Sequence, residues 1–134
     1  MIFLDTSAIY PLTDQNDTDH EEAHRIFGRI VEERTPLLTH NYVVVEAMAL
    51  IQRRLGLAAA IHFENSTRNF EMVWVDQEIH REAVLRWAKG RRTLSFVDAL
   101  SFTVMKRHQT DTAFAFDSDF VAAGFNVLTA APRR

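Results

Sequence analysis

The sequence predicts an α/β fold in one domain over residues 1–134: a parallel sheet flanked by helices on both faces. Three observations carry that reading. Short apolar runs alternate with longer stretches in which apolar residues recur every three or four positions, so strand and helix patterns take turns along the chain. The 134 residues are 47% hydrophobic and 25% charged, near the globular average and enough chain to bury roughly two-thirds of its unfolded surface in one core. Four Gly and three Pro interrupt the pattern, and no linker, internal repeat or low-complexity tract divides it.

The elements follow in order. Met1 to Leu4 is a brief apolar run ending at Asp5, as a strand buried on both faces reads, and a loop with Pro11 is expected next. From Asp17 to Arg34, Ala23, Ile26, Phe27, Ile30 and Val31 recur at helical spacing, and acids crowd the first turn where the helix dipole favours them. Pro36 to Thr39 is a second apolar segment. A helix from Asn41 to Leu55 carries Val43, Ala47, Leu50 and Ile51 and stops at Gly56, and another is expected from Leu57 to about Arg68. Phe70 to Val75 reads as a strand, and Asp76 opens a helix that ends at Gly90. Ser95 caps a helix from Phe96 to about His108. Ala113 to Phe116 is a strand ending at Asp117, and a short helix around Phe120 to Ala123 precedes a last strand at Asn126 to Leu128.

The absence of cysteine removes disulfides, thiolate zinc sites and cysteine nucleophiles, so any metal must be held by oxygen or imidazole. The start, Met1-Ile2-Phe3-Leu4-Asp5, lacks the basic region and apolar stretch of a signal peptide, and no segment approaches the roughly 18 apolar residues of a membrane span. A cytoplasmic protein is the expectation. The formal net charge of −3 argues at first sight against an anionic partner. If several carboxylates are neutralised by bound metal, however, the remainder is no longer acidic, and Arg53-Arg54, Arg91-Arg92 and Arg133-Arg134 supply paired cations.

Asp5 and Asp117 each follow an apolar run, which places them at carboxyl ends of parallel strands, the edge where open α/β sheets bind ligands. Capping of the following helix explains either one equally well. Glu46 lies three residues after Val43 and four before Leu50, on or beside an apolar face, where a carboxylate is costly unless paired or coordinated. A salt bridge to Arg25, Arg29 or Arg107 is the structural alternative. Asp98 sits in Leu94-Ser95-Phe96-Val97-Asp98-Ala99, a helix start that is apolar nearly all round, and Ser95-x-x-Asp98 has the form of a capping box. A box accounts for an acid third in the helix, but not for three further acids at the same end of the sheet. Four carboxylates from four segments suit a hard cation such as Mg²⁺ or Mn²⁺, and a pair of such ions can activate water and steady both oxygens of a phosphodiester displacement.

Phe3-Leu4-Asp5-Thr6-Ser7-Ala8, then Thr39 and Glu46, then Ser95-Phe96-Val97-Asp98-Ala99, then Phe116-Asp117-Ser118-Asp119-Phe120 closing on Gly124-Phe125, resemble the PIN domain, and more narrowly the VapC toxins of prokaryotic toxin–antitoxin pairs. The fragments occur in order over nearly the whole chain. The resemblance implies a parallel sheet of about five strands, Mg²⁺ or Mn²⁺ dependence, endoribonuclease activity, homodimerisation and inhibition by a cognate antitoxin. It carries the acidic positions over to Asp5, Glu46, Asp98 and Asp117, with Asp119 as a candidate to assist a second ion. Thr6 or Ser7, and Ser95, match polar positions that orient carboxylates or water, with helix capping as the alternative role.

His20 and His24 have a spacing that can hold zinc, but no third ligand adjoins them. His40, His62, His80 and His108 are scattered and expected at the surface, while Trp74, Trp87 and the ten phenylalanines are expected in the core. Lys89, Arg91 and Arg92 precede the Asp98 helix and are candidates to meet RNA phosphates, as are Arg53 and Arg54 after the Glu46 helix. Two other functions compete. A phosphomonoesterase with Asp5 as nucleophile wants a second aspartate where this chain has Ser7. A catalytically weak or inactive binding module would keep the fold but not require the intact acids.

Overall fold

The structure is a computed structural model that describes residues 1–128; the Arg133-Arg134 pair lies outside them. Its frame is a five-stranded sheet in the order β3-β2-β1-β4-β5, parallel throughout. The strands are β1 (Ile2–Leu4), β2 (Leu37–His40), β3 (Glu71–Val73), β4 (Thr112–Phe114) and β5 (Asn126–Val127). The helices are α1 (Thr6–Thr13), α2 (His20–Glu32), α3 (Asn41–Leu55), α4 (Leu57–Ser66), α5 (Gln77–Ala88), α6 (Phe96–Arg107) and α7 (Asp119–Ala122), with one 3₁₀ turn at Thr67–Asn69.

Strand order decides where the site lies. From β1 the chain steps outward through β2 to β3, then returns across β1 to β4 and β5. Right-handed crossovers therefore put α1 to α4 on one face of the sheet and α5 to α7 on the other. The direction reverses between β1 and β4, and the crevice beyond the carboxyl ends of those two strands is the ligand position of such sheets. Phe3 sits in register with both Leu38 and Ala113, so β1 is the buried centre of the sheet. Phe3, Leu4, Leu38, Ala113 and Phe114 pack against Ile26, Val43, Ala47 and Ile51 in a single core. Helix α6 is buried at every residue from Asp98 to Met105, as its nearly continuous apolar sequence requires. Among the described residues, no helix is long and apolar enough to cross a membrane.

Most boundaries agree with the sequence patterns, and α3 agrees at both ends, with Gly56 at φ 100° closing it. Three expectations fail. The predicted loop around Pro11 is helix α1, capped by Asp5 and buried at Ala8, Ile9, Tyr10 and Pro11. Proline deletes one N–H inside the helix, and burial of Pro11 together with Ala8, Ile9 and Tyr10 offsets that loss. Strand β4 ends at Phe114 rather than running to Asp117, so Ala115 and Phe116 form a loop that carries Asp117 past the strand end. Trp74 and Trp87 are not core residues, being 71% and 46% exposed. Trp74 follows the edge strand β3 beyond the sheet, where only one neighbouring strand exists to cover it.

Candidate metal centre and its cleft

At the β1/β4 switch point lies a cleft of about 530 Å³ lined by Asp5, Glu46, Asp98, Asp117 and Asp119, together with Thr6, Ser7, Thr93 and Ser95. The sequence-predicted carboxylates thus converge on one cavity. Asp98, Asp117 and Asp119 are the tight group, each offering an oxygen within 4.8 Å of the others. Oxygens opposed across a Mg²⁺ ion stand roughly 4 Å apart, so this spacing fits one hard cation with room for water. Asp5 and Glu46 line the same cleft outside that triad.

Each carboxylate is placed by local structure. Asp5 is the N-cap of α1; its Oδ2 accepts from the Ser7 amide at 3.1 Å and the Ser7 hydroxyl at 2.7 Å. The same hydroxyl accepts from the Phe116 amide at 2.9 Å. One serine therefore ties the end of β1 to the loop that carries Asp117. Ser95 caps α6, its Oγ accepting from the Asp98 amide at 3.0 Å. Asp98 thus has the capping-box position, and yet its carboxyl lies within 4.8 Å of those of Asp117 and Asp119. Asp117 in turn accepts from the Asp119 amide at 2.9 Å, and Arg91 reaches Asp119 at 3.2 Å.

Glu46 corrects the sequence argument. It is exposed, because the buried stripe of α3 is Val43, Val44, Ala47 and Ile51, and one residue from Ala47 is about 100° around the helix. Burial cost is consequently no evidence for its role. Its hydrogen-bond partner is the Thr6 hydroxyl at 2.7 Å, and of the three arginines in the alternative reading Arg107 is engaged by Glu78 and Glu82. Thr6 and Ser7 orient carboxylates, while Ser95 acts as a cap.

The electrostatics suit a bound cation. Burial raises the Asp98 pKa to about 8, with Asp5, Asp117 and Asp119 adding repulsion. Asp5 is also raised, by burial first, against the lowering effect of its Ser7 hydrogen bonds. A buried carboxyl that holds its proton near neutral pH among other acids is poised to exchange that proton for a metal ion.

Other candidates separate from this cleft. His20 and His24 stack at 5.9 Å, and His20 Nδ1 donates to the Pro11 carbonyl at 2.7 Å; among the described residues neither joins a metal-type group. Lys89 and Arg91 line a neighbouring groove, whereas Arg92 is simply exposed. Arg54 lies over the Tyr10 ring at 5.1 Å. The sequence reading missed Asp17 and Asp19, which also line the cleft; their place before α2 resembles ordinary dipole chemistry, so nothing marked them out. It also missed His40, expected at the surface but wholly buried. His40 ends β2, a strand buried at every residue. Its Nδ1 accepts from the Val43 amide at 3.3 Å, and its Nε2 donates to Ser101 at 2.9 Å.

Comparison with known proteins agrees with this geometry. The PIN domain matches residues 2–126. A 23S rRNA-specific endonuclease, VapC20 of Mycobacterium tuberculosis, is 38% identical over 132 residues, covering 93% of this chain and 95% of that protein. The crystal structure of M. tuberculosis VapC20, described as a Sarcin-Ricin loop cleaving toxin, superposes with a TM-score of 0.86 at 32% identity over 96% of this chain and 99% of the other. A DNA-bound VapBC from Salmonella typhimurium shares the fold at TM-score 0.69 and 11% identity, covering 98% of this chain and 100% of its counterpart.

Proposed function

The chain belongs to the PIN-domain family, and from that premise we propose that it is a Mg²⁺- or Mn²⁺-dependent endoribonuclease, the toxin of a type II toxin–antitoxin pair. The observation that carries the proposal is the close packing of Asp98, Asp117 and Asp119 in a cleft that Asp5 and Glu46 complete. A divalent cation in such a site contributes Lewis-acid stabilisation of phosphoryl charge and a more acidic attacking water. Asp98, Asp117 and Asp119 would hold it, and Asp98 would give up its proton on doing so. Asp5, fixed by Ser7 and lining the same cleft, would add a further carboxylate to the ion's surroundings. Glu46, fixed by Thr6, is a carboxylate at the open rim, placed to accept a proton from the water. RNA as substrate, a cognate antitoxin, a homodimer, a cytoplasmic location and one nuclease domain over residues 1–134 belong to the same reading. The similarity to VapC20 supports it and makes 23S rRNA the first substrate to assay.

The test is RNA cleavage by purified protein with Mn²⁺, with and without chelator. Cleavage should stop in chelator, and Asp5→Ala and Asp98→Asn should each lower the rate by at least about 100-fold, since even outer-shell partners of a metal site cost 10- to 100-fold. Unchanged cleavage in either variant overturns the site assignment. Calorimetric Mn²⁺ binding that is lost in Asp117→Ala, without any cleavage by the parent chain, would instead identify an inactive binding module.

A further inference from the structure

We propose that the groove beside the acidic cleft is a second RNA seat, holding the backbone of the strand that flanks the cleaved bond. The proposal rests on the nuclease reading above. The groove has a volume of about 640 Å³ and is bounded by the end of α5, by α6 and by α7. Arg86, Lys89, Arg91 and Lys106 line it over a floor that includes Phe102 and Phe125.

Charge selects the occupant. The chain carries a net −3, so a local surplus of cations is not a general property of its surface. Two acids line the groove, and both are already engaged: Glu82 with Arg107 at 2.8 Å and Asp119 with Arg91 at 3.2 Å. Among the described residues, Arg86, Lys89 and Lys106 form no ion pair. Arg86 is steadied by the Thr103 hydroxyl at 3.1 Å, and the Lys106 ammonium stands 5.5 Å from the Phe125 ring centre. The guanidinium and both ammoniums therefore keep donors available for an anion.

Continuity selects RNA. Asp119 lines both cavities and belongs to the carboxylate triad, while Arg91 bridges to it from the groove side. With Asp119 common to both linings, a strand that places one phosphate at the triad has the groove beside it, and its next phosphates meet the cations. Phe102 and Phe125 are only 5% and 8% exposed, so the floor is apolar contact rather than a stacking platform. The seat therefore fixes the register of the strand and reads no base.

Equilibrium binding of a fluorescein-labelled single-stranded RNA, followed by anisotropy in chelator across a salt series, tests the seat without relying on cleavage. Lys89 and Lys106 are exposed, so their replacement should leave folding intact, which a thermal melt verifies. Lys89→Ala with Lys106→Ala should weaken binding several-fold and reduce the salt slope by about 1.4, roughly 0.7 for each lost phosphate contact on a single strand. Arg34→Ala, between α2 and the start of β2 and outside both linings, should leave the slope as it is. A double variant with the parent's slope and affinity overturns the seat. So does a double variant that binds RNA normally but loses affinity for poly-glutamate, which would assign the groove to an acidic polypeptide. Cleavage by the parent with Mn²⁺ is scored separately. Binding with the predicted slope but no cleavage sinks the nuclease reading alone, and cleavage with no slope change sinks the seat alone.

Discussion

His40 and Asp98 are both ionisable and both buried, at 0% and 7% exposure, and both stand where a helix begins at the carboxyl edge of the sheet. Burial treats them differently. His40 is pushed down to about 3, so it is neutral, and its two ring nitrogens are used by Val43 and Ser101. Nothing is left over. Asp98 is pushed up to about 8 among acids that all repel its charge, and its carboxyl faces an open cleft. The first group joins the start of α3 to α6 and so sets the spacing between the helices that carry Glu46 and Asp98. The second leaves an electrostatic demand that only a cation or a proton can meet. Buried polarity satisfied within the chain is architecture; a buried carboxyl crowded by other carboxyls at the mouth of a cleft points to function.

Mutation can break that comparison. The largest expected effect is on stability: His40→Ala leaves a cavity and an unpaired amide, and should cost about 2–4 kcal/mol in denaturant unfolding. Mn²⁺ affinity per folded molecule should fall far less, and an equal loss would make His40 part of the centre. Asp98→Asn should act in the other sense. In chelator near neutral pH the folded chain must keep Asp98 protonated while the unfolded chain ionises it, a cost that asparagine lacks, so stability should rise by about 0.5–2 kcal/mol. Lower stability in chelator would show that Asp98 is structural.

Acid provides the finest comparison. The folded state holds His40 near 3 while the unfolded chain protonates it near 6.5, so below 6.5 the unfolded state binds more protons. The His40 contribution is complete above that pH and is lost as pH falls toward 3, by up to about 1.4 kcal/mol per unit. The stability gap between the parent and His40→Gln should narrow as pH drops through 5. A gap that stays constant would mean the ring is not held neutral.

Much of the cleft was legible in the sequence because strand ends and helix starts have local signatures. Asp5 follows an apolar run, and Asp98 follows a serine cap. Glu46 was found for the wrong reason, since helical spacing locates a residue near an apolar face but not on which side of its boundary. His40 was misread because its burial comes from β2 lying inside the sheet and from Ser101, 61 residues away. No local pattern records such a partner. Pro11 misled for the same reason, as propensity argued for a loop and packing made a helix.

By itself, then, the order of residues determined the alternation of strands and helices, the helix caps and the placing of acids at the ends of apolar runs, all of which depend on neighbours a few positions apart. Only the tertiary structure decided that Asp98, Asp117 and Asp119 form the tight group, that Asp17 and Asp19 join the cleft, and that a basic groove continues from it. Those outcomes depend on strand order and crossover hand, which bring together side chains distant in the chain, and on the burial of Asp5 and Asp98 in the resulting cleft, which pushes both carboxyls above their ordinary range.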